Sequence, residues 1–182
     1  MTMRISGGEL RNRAVPSPRG SAVRPTPGRV KEALFSIVGE KIVGARMLDL
    51  YAGSGAIGFE ALSRGAEHVV FVEIHAPTAA AIKRTAQQFG VEKKVSVICA
   101  PVETAAKRVT GHFDMVYADP PYALSPPHLT FGRLRERGAI DAATTLVYER
   151  RDDGPAFASP GFETAREANY GETTLQFLKV AA

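Results

Sequence analysis

The sequence has few of the features that mark secreted, metal-binding or membrane proteins. Its 182 residues include one cysteine, Cys99, which excludes a disulfide framework and a cysteine-based metal site. The four histidines are scattered without metal-ligand spacing, so no metal is expected. The chain has no run of about 18 apolar residues, and its first residues are too polar for a signal peptide. We therefore expect a cytoplasmic protein with no membrane partner.

Positive charge is concentrated near the start of the chain. The whole sequence carries a formal charge of +4, and 45% of its residues are hydrophobic, as in ordinary globular proteins. Residues 1–31 contain seven Arg or Lys residues and one acidic residue, a net charge of +6, so the remainder carries −2. A basic segment on a slightly acidic body favours a polyanionic partner. A solvated arm without a partner is the alternative.

The basic segment has the pattern of a β-hairpin. Residues 3–6 and 9–15 are predicted strands, and Gly7 and Gly8 lie between them as a turn. We expect residues 1–23 to form an extension that engages nucleic acid and residues 24–182 to form one domain. That domain is predicted to begin with a helix capped by Thr26, with Pro27 in its first turn.

From residue 46 onward, apolar strands alternate with amphipathic helices. This pattern predicts an α/β fold with a mostly parallel seven-stranded sheet covered by helices on both faces. The last two strands are separated by a short turn and must be antiparallel to each other. The predicted strands are 47–51, 68–73, 95–99, 113–119, 144–149, 162–170 and 173–180, and the predicted helices are 56–64, 77–89, 102–109 and 125–137.

A glycine-rich loop follows the first strand of this alternating region. Gly53, Gly55 and Gly58 fit the pattern G-x-G-x-x-G, which lets the backbone approach a ligand at a helix N-terminus. Glu73 ends the next strand, where a carboxylate accepts hydrogen bonds from ribose hydroxyls. These features alone leave NAD(P) and S-adenosylmethionine (SAM) both open as cofactors.

Asp49, four residues before the first glycine, favours SAM over a dinucleotide. A carboxylate beside the loop repels a pyrophosphate, whereas it faces a cationic ligand favourably or orients the loop amides. SAM carries a sulfonium and an ammonium and no phosphate. An NAD(P) oxidoreductase is further disfavoured because the sequence has no obvious catalytic acid and base set.

The sequence Asp119-Pro120-Pro121-Tyr122 ends the strand predicted at 113–119. The two prolines make a stiff turn that lacks two backbone donors. The Asp119 carboxylate and the Pro120 carbonyl are suited to accept the two N–H bonds of an exocyclic base amine, which turns its lone pair out of the ring plane. Tyr122 is suited to stack on that base. This turn therefore predicts methylation of an amine on a nucleobase.

The chain resembles the class I SAM-dependent amino-methyltransferases, and more closely the bacterial 16S rRNA guanine-N2 methyltransferases of the RsmD family. The motifs that carry the resemblance span nearly the whole chain. They are RISGGELRNR, RPTPGRVKEALF, LDLYAGSGAIGFEAL, VFVE, FDMVYADPPY and YGETTL. The resemblance implies a Rossmann-like fold, SAM as cofactor with S-adenosylhomocysteine as product, and 16S rRNA in the small subunit or its assembly intermediate as substrate. We expect a monomer.

With this resemblance, three sets of site residues are predicted. The catalytic residues are Asp119, Pro120 and Tyr122. The cofactor residues are Thr26, Asp49, Tyr51, Gly53, Gly55, Gly58, Glu73, Val102 and Asp119. The substrate residues are Arg4, Arg11, Arg13, Arg24, Arg29, Pro121 and Tyr122, and Glu149, Arg150 and Arg151 are further candidates for RNA contact. After the third strand, relatives commonly have Asp or Asn followed by a small residue, and this polar side chain contacts the adenine of the cofactor. In this chain Ala100-Pro101 occupies that place.

Two other functions remain open from the sequence. DNA adenine-N6 methylation would use the same turn chemistry, although the chain has little room for a domain that reads a duplex. A non-catalytic, SAM-binding RNA assembly factor would keep the cofactor site without transferring a methyl group.

Overall fold

One sheet of seven strands runs through the computed structural model, which describes residues 3–16, 28–121 and 126–181. In chain order, the elements are β1 (Met3–Arg4), β2 (Ala14–Val15), α1 (Gly28–Val38), β3 (Arg46–Leu50), α2 (Ala56–Ser63), β4 (His68–Glu73), α3 (Ala76–Phe89), β5 (Val95–Cys99), α4 (Val102–Ala105), β6 (Met115–Ala118), α5 (His128–Glu136), β7 (Thr145–Arg151), β8 (Phe162–Tyr170) and β9 (Thr173–Val180). Two 3₁₀ helices cover Gly39–Ile42 and Glu92–Lys94.

The strands of this sheet lie in the order β5-β4-β3-β6-β7-β9-β8. Strands β3 to β7 pair in parallel, while β9 is antiparallel to both of its neighbours. The predicted α/β architecture and the antiparallel final pair are therefore confirmed. Because β3 and β6 lie side by side and their partners extend in opposite directions, the chain reverses its strand order between them. Ligands bind at such a point, outside the carboxyl ends of the strands.

Two layers of apolar side chains cover the two faces of the sheet. One layer joins alternate residues of the central strands, such as Met47 and Met115, to α1, α2 and the N-terminal segment. The other joins Leu48 and Val116 to α4 and α5. Every residue of α2 is buried, so this helix lies inside the molecule with the candidate ligand loop at its start.

Several predicted bounds differ from those in the structure. The helix predicted at 102–109 ends at Ala105, because the following amides of Lys107 and Arg108 donate to carbonyls three residues back and the helix becomes a series of turns. The helix predicted at 125–137 covers His128–Glu136, since two prolines precede it. The strand predicted at 113–119 is shorter at both ends. Thr26 and Pro27, the predicted start of α1, lie outside the described residues.

The N-terminal hairpin is present, but its strands pair over only two residues each. The backbone between them packs on α2: the amide of Glu9 donates to the carbonyl of Ser63, and the amide of Leu10 donates to the Ser63 hydroxyl. These bonds replace the longer ladder that the sequence predicted. Gly8 has φ +78, and a Cβ there would lie 1.7 Å from the Ser63 carbonyl oxygen, so glycine permits this close approach.

The buried carboxylate of Glu60 joins the hairpin to α1 and α2. One of its oxygens accepts hydrogen bonds from the Ser6 hydroxyl, the Gly7 amide and the Arg64 guanidinium. The other accepts from the Ser6 amide and from Lys31 Nζ, at 2.5 Å from the latter. Burial raises the pKa of Glu60, but the hydrogen bonds from Lys31 and Ser6 outweigh it and leave that pKa below its usual value. The carboxylate is therefore ionised opposite a buried ammonium.

In the parts of the chain that the structure describes, no helix has the length and apolar character needed to cross a bilayer.

We predict that Glu60→Gln lowers the free energy of unfolding by about 3–5 kcal/mol, because it leaves the Lys31 charge buried without its counter-ion. The measurement is urea unfolding at pH 7. Glu92→Gln removes the same charge from an exposed position and serves as the control. A Glu60→Gln protein that unfolds within 0.5 kcal/mol (about the scatter of surface substitutions) of the control would contradict the prediction.

Candidate active site at the carboxyl edge of the sheet

Four acidic residues lie at or near the carboxyl ends of four adjacent strands. Asp49 is in β3, Glu73 ends β4, Asp119 directly follows β6, and Glu149 is in β7. Leu50, the last residue of β3, pairs in register with Ala118, the last residue of β6, and with Val72, one residue before the end of β4. The topology therefore brings three of the predicted site residues together, and it adds Glu149, which the sequence indicated only as a candidate RNA contact.

The loop between β3 and α2 has the conformation that its glycines predict. Gly53 and Gly55 have φ values of 53° and 79°, in the left-handed region where a side chain is disfavoured. Tyr51 also has a positive φ, 59°, without being glycine. Such residues cost about 1–3 kcal/mol and concentrate at ligand sites. The strain at Tyr51 marks this loop as more than a simple connection.

Two carboxylates hold this loop from opposite sides. Glu73 accepts a hydrogen bond from the Gly53 amide at 2.9 Å and, through its other oxygen, from the His75 amide at 2.8 Å. Asp49 accepts from the Gly58 amide at 3.1 Å, one of the first-turn donors of α2 that have no partner within the helix. The sequence predicted that Asp49 either faces a cationic ligand or orients backbone amides of the loop. In the structure it orients one such amide, that of Gly58.

Gly58 allows α2 to pack closely on the sheet. A Cβ at this position would lie 2.2 Å from the Phe71 ring in β4. The third glycine of the motif therefore serves helix-to-sheet packing, while Gly53 and Gly55 shape the loop.

The pKa values of Asp119 and Asp49 are raised by burial and by the neighbouring acidic residues. Burial raises the pKa of Asp119 well above its ordinary value, and the negative charges of Glu149 and Asp49 raise it further. Burial also raises the pKa of Asp49, with the hydrogen bond from Gly58 opposing it and Glu73 adding to it. This edge of the sheet therefore holds several acidic groups that repel one another. It fits a cation or a group rich in N–H donors better than a phosphate.

Tyr51 and Val102 form an apolar side of the site. Val102 is buried at the start of α4, and Tyr51 packs against the same core layer. Burial raises the pKa of the Tyr51 hydroxyl to about 12, with contributions from Glu103 and Tyr148. Both residues were predicted as cofactor contacts, and that role stays a prediction.

After Asp119, the chain turns away from the sheet through Pro120, which is buried, and Pro121, which is exposed. A cleft adjoins this turn and the end of β7. The residues that line it are Pro120, Pro121, Tyr148, Glu149, Arg150, Arg151, Gly154 and Pro155. Tyr122, the remaining predicted catalytic residue, lies outside the described residues.

The structure does not group the predicted arginines with these acids. Arg4, Arg11 and Arg13 are exposed on the hairpin. Arg13 donates to the carbonyl of Gln88 and lies over the Phe89 ring, at the end of α3 away from the carboxyl edge.

Arg29, near the start of α1, donates to the Tyr170 carbonyl at the β8–β9 turn, which lies on the carboxyl side of β7. Arg24 and Thr26 lie outside the described residues. Within the described residues, no group of three or more His, Cys, Asp or Glu side chains is arranged to hold a metal.

Comparison with known proteins places this geometry among methyltransferases. A family model described as "Conserved hypothetical protein 95" matches residues 3–179. A Haemophilus influenzae protein named ribosomal RNA small subunit methyltransferase D is 31% identical over 172 residues, covering 93% of this chain and 89% of that protein.

Solved structures show the same fold. A hypothetical protein from Thermus thermophilus superposes with a TM-score of 0.80 and 29% identity, and the match covers 99% of both chains. An RNA methyltransferase from Salinibacter ruber, solved with S-adenosyl-L-homocysteine, has a TM-score of 0.68 and 17% identity, covering 87% of this chain and 94% of that one. At that identity the second likeness shows the fold alone.

We predict that Asp119→Asn raises the free energy of unfolding at neutral pH. The raised pKa means that the folded protein favours a protonated Asp119, so wild-type stability from this group is present at low pH and is lost as pH rises through the folded-state pKa. Below about pH 3 the variant and wild type should therefore have the same free energy of unfolding. Above about pH 4 the variant should become more stable than wild type, and the full difference should be about 1.4 kcal/mol for each unit by which folding raises the pKa of Asp119.

Urea unfolding of both proteins between pH 3 and pH 8 measures this difference. Asp141→Asn is the control of opposite sign, because the Ala143 amide lowers the pKa of Asp141. A difference between Asp119→Asn and wild type that does not change with pH would contradict the prediction.

Proposed function

The chain belongs to the family described as conserved hypothetical protein 95, the RsmD family, and we propose that it transfers a methyl group from SAM to the exocyclic N2 amine of one guanine in 16S rRNA. The observation that carries the proposal is the position of Asp119 and Pro120. They follow central strand β6 directly, beside the glycine loop that follows β3. A base amine held by this turn is adjacent to a ligand held by that loop.

The residues of the β3–α2 loop fit SAM. Gly53 and Gly55 keep the backbone open to close approach, Glu73 accepts from ribose hydroxyls, and Tyr51 and Val102 supply apolar walls. The negative potential from Asp49, Glu73 and Asp119 favours a sulfonium and an ammonium and opposes a pyrophosphate. When bound, SAM supplies an electrophilic methyl group on a positively charged sulfur and is released as S-adenosylhomocysteine. Thr26 is proposed as a further contact.

Asp119 and Pro120 act on the nucleophile. The carboxylate of Asp119 and the carbonyl of Pro120 accept the two N–H bonds of the amine, so that its lone pair points out of the ring plane toward the methyl group. Positioning of this kind supplies a large part of the rate enhancement. The raised pKa of Asp119 also suits it to take the proton that the amine loses on methylation. Tyr122 and Pro121 are proposed to hold the plane of the base.

The RNA partner is supported by the relatives and by the surface charge. The Haemophilus relative is named for the small ribosomal subunit. The exposed Arg4, Arg11 and Arg13 provide cations on the hairpin that contact phosphates without reading sequence. Because the hairpin packs on the second half of α2, these contacts fall on RNA some distance from the target base. Arg24 and Arg29 are proposed to contact RNA closer to the site.

The proposal has further parts. The substrate is a small subunit or its assembly intermediate in the cytoplasm, and the protein acts as a monomer. The division into an RNA-engaging extension, residues 1–23, and a methyltransferase domain, residues 24–182, belongs to the same proposal.

We expect wild-type protein to transfer labelled methyl from SAM to undermethylated small subunits or free 16S rRNA and to form N2-methylguanosine. Asp119→Ala is expected to lower kcat by about 10²–10⁴ with RNA binding retained, because the amine loses a positioned acceptor. Digestion to nucleosides identifies the product, a binding titration measures RNA affinity, and calorimetry measures SAM binding. Glu92→Gln removes an exposed carboxylate that precedes β5, away from this cleft, and serves as the control.

Two results would overturn this proposal. Formation of N6-methyladenine from unmethylated duplex DNA, with no product from RNA, would assign the turn chemistry to DNA. RNA and SAM binding without transfer to any of these substrates would favour a non-catalytic assembly factor.

We also predict that Arg11→Gln weakens RNA binding and reduces the slope of log K against log salt concentration by about 0.7–0.9, the contribution of one phosphate contact. The measurement is a binding titration at several salt concentrations. Lys93→Gln is the matched control, because Lys93 is exposed before β5, at the edge of the sheet opposite to the site. Equal slopes for Arg11→Gln and wild type would contradict RNA contact at this position.

A further inference from the structure

Helix α3 presents positive charge on its outward face, and its sequence contains no acidic residue. The polar side chains of that face are Lys83, Arg84, Gln87 and Gln88, and all four residues are exposed. Residues three or four apart in a helix lie on the same face, so Arg84 lies beside both glutamines. The opposite face, through Ile82, packs into the core layer that α1 and α2 share. All four outward side chains are hydrogen-bond donors, and two of them are cations.

The two cations of α3 are available to a ligand. In the part of the chain that the structure describes, neither Lys83 nor Arg84 forms an ion pair or a side-chain hydrogen bond. Arg64, by contrast, is bound to the Glu60 carboxylate. A cation without a protein partner gives up no such contact when it binds a phosphate, and the release of counterions favours that binding.

The hairpin extends this positive face at the end of α3. Arg13 donates to the Gln88 carbonyl at 3.2 Å, and its guanidinium lies 5.3 Å from the centre of the Phe89 ring. Arg84 precedes Gln88 by four residues, which is about 6 Å along the helix axis. Residues 3–16 and α3 together contain five cations and one acid, a net charge of +4. The exposed cations of the two segments form what we call the hairpin–α3 surface: Arg4, Arg11, Arg13, Lys83 and Arg84.

The composition of this surface indicates the kind of partner that it fits. The large apolar side chains that are exposed in the described residues are Val43, Ile74 and Leu129, and none of them belongs to α3 or the hairpin. A helix that binds a membrane buries an apolar face in it, and the core of a protein interface is largely apolar. Phosphate groups instead require cations and N–H donors, which Lys, Arg and Gln side chains supply.

We propose that the outward face of α3 binds phosphates of the same RNA that the hairpin contacts, so that the hairpin–α3 surface is one RNA-binding surface. This inference rests on the proposed function and adds Lys83 and Arg84 to its RNA interface. Helix α3 begins just after Glu73, at the carboxyl edge of the sheet, and ends at the hairpin. Its cations therefore lie between the hairpin and that edge. Such contacts position the RNA backbone and read no sequence.

Two double variants with the same substitutions test this surface. Lys83→Gln/Arg84→Gln removes both cations and keeps residues of similar helix propensity. Lys107→Gln/Arg108→Gln is the matched control, because it alters an exposed Lys-Arg pair that is likewise flanked by buried residues, and those flanking residues pack on the other face of the sheet. Binding to free 16S rRNA and to undermethylated small subunits is titrated at several salt concentrations, and thermal transitions establish that each variant folds.

The α3 double variant is expected to reduce the slope of log K against log salt concentration by about 1.4–1.8, the contribution of two phosphate contacts. The control is expected to keep the wild-type slope. Adding Arg11→Gln to the α3 double variant is expected to reduce the slope by about a further 0.7–0.9, because it removes a third contact of the same surface. In methyl transfer the α3 double variant raises KM for RNA, and calorimetry is expected to show unchanged SAM affinity.

Other outcomes overturn the inference. Equal slopes for the α3 double variant and the control would show that α3 contacts no phosphate. A loss of affinity for small subunits without a loss for free rRNA would assign the face to a ribosomal protein. Lys83→Glu/Arg84→Glu places negative charge on the same face, and RNA binding as tight as that of wild type would also contradict the inference. Wild-type protein that binds neither RNA would overturn the proposed partner as well, whereas equal slopes with wild-type binding intact overturn this inference alone.

Discussion

The hold that Asp49 and Glu73 exert on the β3–α2 loop is the interaction on which the candidate site depends. Asp49 accepts a hydrogen bond from the Gly58 amide, and Glu73 accepts one from the Gly53 amide. The loop is therefore fixed to two neighbouring strands. The strained backbone of Tyr51 is stable only because its surroundings are fixed in this way. A ligand that binds here meets a loop whose shape is already set, and little ordering is required on binding.

A third buried carboxylate, Glu60, holds the second half of α2. Five donors from four residues converge on it, and they come from the hairpin, α1 and Arg64, which directly follows α2. Helix α2 is therefore held at its start by Asp49 and near its end by Glu60. Because the hairpin and the candidate site share this one rigid, fully buried helix, the position of the hairpin relative to the site is set by α2.

The site gains its chemistry at a cost in stability. Asp49 is buried and Asp119 is half-buried, both lie close to other acidic residues, and burial raises both pKa values well above the ordinary range. A sequence selected for stability alone would replace such acids by neutral residues. Their presence together, at the carboxyl edge of a parallel sheet, is the pattern expected of a functional site. The relatives and the fold then limit the reactions that can be proposed for this site.

The order of strands and helices was predictable from the sequence because hydrophobic periodicity and glycine positions are local properties. The bounds of β4, β5, β8 and β9 match the predictions. The roles proposed for Asp119, Pro120 and Tyr122 also came from the sequence, and they stay proposals. Contacts between distant segments could not be predicted, since no local pattern encodes them.

Tertiary structure alone decided where those distant segments meet. It shortened the hairpin ladder, because Glu60 and Ser63, more than fifty residues away, take the amides that would otherwise pair across it. It also placed Glu149 beside Asp119, thirty residues earlier in the chain, through the parallel pairing of β6 and β7. In the sequence, Glu149 is only an acid at the end of a strand. The identity of its neighbours depends on strand order, and strand order is a property of the whole fold.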